Sequence, residues 1–183
     1  MIKQLIQKIF CKSSEGLIQT TTSYTLEPLN KYEYRNRLAE KIEKFSTSVL
    51  FGESRAVDTI VIHCSECKSN EILNFDDAEL FFKRKYGKKI VYTNSFIPFH
   101  FLITENGYIV NTMPLNAPDV NSSSTISICY IGGVNQDGEH ADTRTNEQKE
   151  SMLWLISTLS RLLCIRKTIL SGDACFDGYN EYK

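Results

Sequence analysis

The sequence predicts an α/β fold, a central mixed sheet flanked by helices, and three features lead there. Val57-Asp-Thr-Ile-Val-Ile62 is a β-branched run of the kind that forms a buried strand. Glu105-Asn106-Gly107 separates two apolar segments, 99–104 and 108–112, and Asn-Gly accepts the positive φ of a tight hairpin at little cost. Thr145-Asn-Glu-Gln148 has the pattern of a capping box and opens a long apolar stripe. Strands that alternate with helices around one hairpin call for a mixed sheet with helices packed on its faces.

The elements follow in order. Residues 1–54 are rich in Lys, Glu, Ser and Thr, carry the run Thr20-Thr21-Thr22-Ser23 and are broken at Pro28. They read as a partly mobile N-terminal extension that could offer a surface to a protein partner. Within it, Leu38, Ile42 and Phe45 recur at helical spacing and predict a helix over 32–45. Residues 55–183 form the second unit, the α/β domain proper. A helix is expected over 74–86, with Asn74 as cap, Asp76 and Asp77 in its first turn, and Ala78, Phe81, Phe82 and Lys85 on one side. A strand over 125–131 closes at Gly132-Gly133. The stripe Met152, Leu155, Ile156, Leu159, Leu162 and Leu163 makes the helix after Thr145 the clearest element in the chain. A last strand over 167–170 leads into a short polar tail.

Composition narrows the class. With 42% hydrophobic residues, 23% charged and four Pro, collagen-like, low-complexity and wholly disordered chains are excluded. Twenty-one Lys and Arg against 22 Asp and Glu leave a net charge of −1, so no global field recruits nucleic acid or an anionic membrane. No apolar run approaches the roughly 18 residues that a membrane-spanning helix needs. The apolar positions of Met1-Ile-Lys-Gln-Leu-Ile-Gln-Lys-Ile-Phe10 are interrupted by Lys and Gln, so no signal peptide is expected. Six Cys in a chain of this length are too few for a disulfide-built scaffold and read as reduced thiols of a cytoplasmic protein.

Several residues could carry chemistry. In Ile60-Val-Ile-His-Cys-Ser-Glu-Cys67, His63 ends a buried strand, a rigid position at a sheet rim that suits a metal ligand or catalytic group. Cys64 and Cys67 form a Cys-x-x-Cys directly after that strand, which invites a thiol-redox reading without any Pro or Trp signature to support it. His100 falls inside a hairpin strand and reads as a hydrogen-bonded core residue, and His140 falls in a polar loop. The cations of Lys83-Arg-Lys-Tyr-Gly-Lys-Lys89 end a helix, where they complement its dipole. Arg144 reads as structural, with its neighbour Thr145 as the cap.

Five phrases taken in order resemble a known family: Ile-Val-Ile-His-Cys-Ser, Phe99-His-Phe-Leu-Ile-Thr-Glu-Asn-Gly-Tyr-Ile-Val110, Ile126-Ser-Ile-Cys-Tyr-Ile-Gly-Gly133, Asp142-Thr-Arg-Thr-Asn-Glu-Gln148 and Ala174-Cys-Phe-Asp177. Over roughly residues 57–182 the chain resembles the type 2 N-acetylmuramoyl-L-alanine amidases, a family that includes phage lysozyme-type amidases and peptidoglycan recognition proteins. The resemblance implies an amidase fold, peptidoglycan or a muropeptide as partner, and a phage-associated or bacterial setting. It also implies one zinc ion, held by two His and a Cys or Asp, that activates a water to cut the bond between N-acetylmuramic acid and L-alanine.

Carried over residue by residue, that pattern is incomplete. His63 matches the first zinc ligand. The second belongs to a His-bearing phrase after the last strand, but Thr168-Ile-Leu-Ser-Gly-Asp-Ala-Cys-Phe-Asp177 contains no His. Cys175 matches the third ligand, or the register puts Asp173 there. Phe99 stands where the family has Tyr, Asn116-Ala-Pro118 replaces an Ala-His-Ala phrase, and the Arg after the hairpin is lost around Met113. These departures touch the site and spare the fold-defining phrases. Three readings follow. The first is an impaired amidase, a pseudoenzyme with a degenerate zinc site and weak or absent zinc, kept for cell-wall binding or as a structural component. The second is an active zinc amidase with a relocated ligand, and the third is a thiol-redox module at Cys64 and Cys67.

Overall fold

A computed structural model describes residues 31–119, 122–172 and 175–176. The readings made on residues 1–30, on Asp173 and on the tail beyond Phe176 lie outside the described residues.

The chain begins with α1 (Lys31–Leu50), followed by β1 (Thr59–Cys64), β2 (Cys67–Lys68) and α2 (Phe75–Tyr86). A hairpin of β3 (Phe101–Ile103) and β4 (Ile109–Asn111) leads to β5 (Thr125–Tyr130), β6 (Gly133–Val134), α3 (Asn146–Leu163) and β7 (Lys167–Leu170). Five strands form one sheet in the order β4-β3-β5-β1-β7, and β2 pairs with β6 beside it. β1 runs parallel to both β5 and β7, β3 runs parallel to β5, and only β3 and β4 are antiparallel. This is the expected mixed sheet flanked by helices.

The side-chain period of two along the strands sorts the interior into two layers. Ile60 and Ile62 of β1, Phe101 and Ile103 of β3, and Ile126 and Ile128 of β5 face α1 and α3. They meet Leu38, Ile42 and Phe45 of α1 and Met152, Leu155, Ile156 and Leu159 of α3. The helix predicted at 32–45 is therefore a core helix of the domain. The opposite face carries Leu102, Cys129 and Ile131 against Ala78 and Phe82 of α2, with Ile97 and Phe99 beside them.

Local chemistry sets the helix ends. Asn74 Oδ1 accepts from the Asp77 amide at 2.9 Å, and α2 stops at Gly87, whose amide donates to the Lys83 carbonyl at 2.9 Å. At α3 both halves of the capping box form: Thr145 Oγ1 accepts from Gln148 N, and Gln148 Oε1 accepts from Thr145 N. The same Gln148, fully buried, donates through Nε2 to the carbonyls of Ile103 and Ile131, so one side chain caps the helix and ties it to β3 and to the end of β5. Gly107, at φ +77°, turns the hairpin against α3; a Cβ there would stand 2.6 Å from the Glu147 carbonyl oxygen.

Candidate functional site

The parallel strands β1 and β5 end at the same rim of the sheet, where an α/β fold leaves its crevice. His63 and Cys64, the last two residues of β1, project to opposite faces. The His63 ring packs on Phe99, with centroids 5.0 Å apart, and Phe99 meets Phe82 edge-on at 5.6 Å. Burial lowers the His63 pKa, against the pull of the Asp119 and Glu66 carboxylates, so the imidazole is neutral at pH 7. Glu66 adopts a left-handed φ of +58° that turns the chain out of β1. Lys85 reaches from α2 to both the Ser65 carbonyl (2.9 Å) and Glu66 Oε2 (2.6 Å), and that hydrogen bond holds the Glu66 carboxyl below its ordinary pKa. A cleft of about 710 Å³ opens beside Glu66, lined also by Glu71, Asp77, Leu80, Phe81, Arg84 and Lys85.

Cys64 belongs to the other face. Its thiol donates to Cys175 Sγ at 2.9 Å, and both residues are buried. Burial, with Cys175 adding to it, pushes the Cys64 thiol up to about 12. Cys175 Sγ also lies 3.5 Å from the Gly133 carbonyl and 3.7 Å from Nδ1 of the exposed His140. The Cys-x-x-Cys reading needs correction on this point. Cys67 points into the second layer with its Sγ 2.9 Å from Ser65 Oγ, so Cys64 pairs with a residue 111 positions away and not with its neighbour in the motif. Alternation along β1 and its exit separates the two thiols.

The loop after β6 holds this arrangement. Asp142 and Arg144 form a bidentate ion pair, 2.8 Å at Nε and 2.6 Å at Nη2, with side chains 2% and 0% exposed. The guanidinium lies over the Phe176 ring at 5.2 Å, and Phe176 meets Tyr130 edge-on at 5.5 Å. Tyr130 Oη donates to the Cys175 carbonyl at 2.7 Å. Thr143 Oγ1 accepts from Gly133 N at 2.7 Å. The Asp-Thr-Arg-Thr phrase is thus a clamp on residues 175–176, with Arg144 structural as expected and Asp142 its counter-charge.

The expected metal ligands are placed as follows. His63 stands in the aromatic layer on the α2 side, Cys175 is engaged with Cys64 on the α3 side, and Asp173 is outside the described residues. Among the described residues, which do not include Asp173, no group of three or more His, Cys, Asp or Glu side chains could hold a metal ion. Sequence reasoning missed Glu66, Lys85 and Asp119 at the rim. The cation run was the available signal for Lys85, but only the fold brings it back onto Glu66.

His100 is fully buried, as its position in the hairpin predicted. Ser127 N donates to Nδ1 at 3.1 Å, which leaves the proton on Nε2 to donate to the Ala117 carbonyl at 3.0 Å. Burial first, and the Arg55 charge as well, lower its pKa to about 4. Between pH 6.5 and 4 the unfolded chain therefore binds a proton at this residue that the folded chain refuses, and stability falls as pH falls. The linkage corresponds to about 3 kcal/mol over that window. Urea midpoints measured against pH should show this slope, and His100→Gln should flatten it relative to the parent.

No protein-family model matches the chain, and no curated protein matches it. Solved structures with a similar chain path include the "Endolysine N-acetylmuramoyl-L-alanine amidase LysCS" of Clostridium intestinale URNW, 18% identical, with a TM-score of 0.49 over 66% of this chain and 72% of that one. The Ph2119 endolysin from Thermus scotoductus MAT2119 bacteriophage is 18% identical, with a TM-score of 0.47 over 63% and 71%. The ectodomain of the Drosophila transmembrane receptor PGRP-LCa is 15% identical, with a TM-score of 0.44 over 62% and 71%. These likenesses carry no residue, activity or substrate over to this chain. No helix among the described residues is long and apolar enough to cross a membrane.

Proposed function

We propose that this chain is an amidase-fold protein that binds peptidoglycan fragments at the rim of β1 and β5 without cutting them. One observation carries the reading: the two residues matching zinc ligands are directed to different environments, His63 against Phe99 and Cys175 against Cys64. A zinc held by one of them would be loosely ligated, and loose ligation neither fixes the geometry of a bound water nor polarises a carbonyl reliably. What the rim retains is suited to binding: a neutral imidazole, aromatic surface, and the Glu66–Lys85 pair beside an open cleft. A structural or interaction role is the same reading with a protein in place of the glycopeptide.

The test is calorimetric titration with an N-acetylmuramoyl-peptide beside an assay of muropeptide release from sacculi. Binding should be measurable, and weakened roughly tenfold by His63→Ala through one lost hydrogen bond. Release should equal that of the His63→Ala variant. Robust release abolished by His63→Ala would overturn the proposal.

A second reading is favoured by His140. Its Nδ1 lies 3.7 Å from Cys175 Sγ, and two ligands of a tetrahedral zinc stand roughly 3.3–3.8 Å apart. His140 would then be the relocated ligand of an active amidase. This reading requires that zinc binding be lost in His140→Ala as completely as in Cys175→Ser.

A further inference from the structure

We propose that Cys64 and Cys175 are a reversible disulfide pair that fastens residues 175–176 to the end of β1. The two sulfurs are in contact at 2.9 Å, and backbone hydrogen bonds position both residues. Cys64 is the last residue of β1, flanked on one side by β5, and Cys175 is held by Tyr130 Oη on its carbonyl and by the Gly172 carbonyl on its amide. Gly133 lies against both thiols: a Cβ there would stand 2.6 Å from Cys64 Sγ and 3.3 Å from Cys175 Sγ. The other described thiols have different surroundings. Cys67 contacts Ser65, Cys129 is enclosed in the second layer, and Cys164 is exposed at the end of α3.

The oxidant is a low-molecular-weight disulfide, RSSR. Cys175 attacks first, because the exposed His140, with Nδ1 3.7 Å from Cys175 Sγ, marks the solvent side of the pair. The new protein–S–SR bond forms as the RS–SR bond breaks, and the expelled thiolate leaves as RSH. Cys64 then attacks the protein sulfur of the mixed disulfide, which forms the Cys64–Cys175 bond and releases a second RSH. Two protein thiols are oxidised, one RSSR is reduced to two RSH, and the two thiol protons leave on the products. The bond closes a loop of 111 residues, so it restricts the unfolded chain strongly. Because it consumes the Cys175 thiolate, it also excludes Cys175 from ligating a metal.

The experiment is incubation of the full chain with oxidised glutathione, alkylation of the remaining thiols, digestion and peptide mass mapping. The expected result is one dithiothreitol-sensitive species linking the peptides of Cys64 and Cys175, retained in Cys67→Ser and lost in Cys175→Ser. Melting of the oxidised parent should rise by roughly 5–10 °C over the reduced parent. Mapping of the parent chain needs no variant to fold. A Cys64–Cys67 link, a dimer joined through Cys164 alone, or full alkylation of Cys64 and Cys175 would each overturn the proposal, as would a link with no rise in melting temperature.

Discussion

Asp142→Asn should destabilise the fold by about 3–5 kcal/mol, because it removes the charge of a buried carboxylate that is bidentately bonded to a buried guanidinium. Asp142 Oδ1 accepts from both the amide and Nε of Arg144, and Oδ2 accepts from Nη2. An amide in place of the carboxylate keeps one acceptor and turns an N–H donor toward the guanidinium. Arg144 has little room to escape, being 0% exposed, with Nη1 3.8 Å from Met152 Sδ and its plane over Phe176. For a domain of this size the melting temperature should fall by roughly 10 °C. The double variant Asp142→Leu, Arg144→Met should recover much of the loss, since removing both charges also removes the desolvation cost. A loss as large in the double variant as in the single one would mean that packing, not charge, dominates at this position.

Gly133→Ala is the other large effect. Gly133 sits at φ +100°, a conformation that L-residues rarely adopt. An added Cβ would also lie 2.6 Å from Cys64 Sγ and 2.7 Å from Cys64 Cβ, and the backbone at Cys64 is held by its pairing with Tyr130 of β5. Backbone strain and overpacking together are expected to cost about 4 kcal/mol. Adding Cys64→Ala should recover only the share due to the sulfur, because the Cβ contact and the strain remain. Denaturant unfolding of the three variants separates these contributions. Full recovery in the double variant would show that the backbone at Gly133 is unstrained.

Much of this fold is legible in local chemistry. Asn74, the Thr145–Gln148 box and Asn106-Gly107 each satisfy backbone groups within a few residues, so their roles can be read without knowing what packs on them. The two-residue strands β2 and β6 carry no periodicity, and only their juxtaposition at the rim makes them pair. The helix expected over 32–45 continues to Leu50 through Ser46, Thr47 and Ser48, which are weak helix formers. Ser46 Oγ donates to the Leu162 carbonyl of α3, a tertiary contact that overrides their propensity.

The site is less legible for the same reason. His63 could be placed at a strand end and His100 in the interior from position alone. That Cys64 would meet Cys175 depends on how the 111 residues between them fold. The Asp142–Arg144 pair was hidden by its own sequence proximity: residues two apart face each other only when the loop between them is folded back and buried.

The most direct measurement of the central claim is zinc per chain in the purified, fully reduced protein, by elemental mass spectrometry beside His63→Ala and His140→Ala controls. Substoichiometric zinc, unchanged by either substitution and not raised by reconstitution, is the result expected for an amidase fold kept for binding. Close to one zinc per chain, lost in a control, would contradict it and place a working metal centre at the rim of β1.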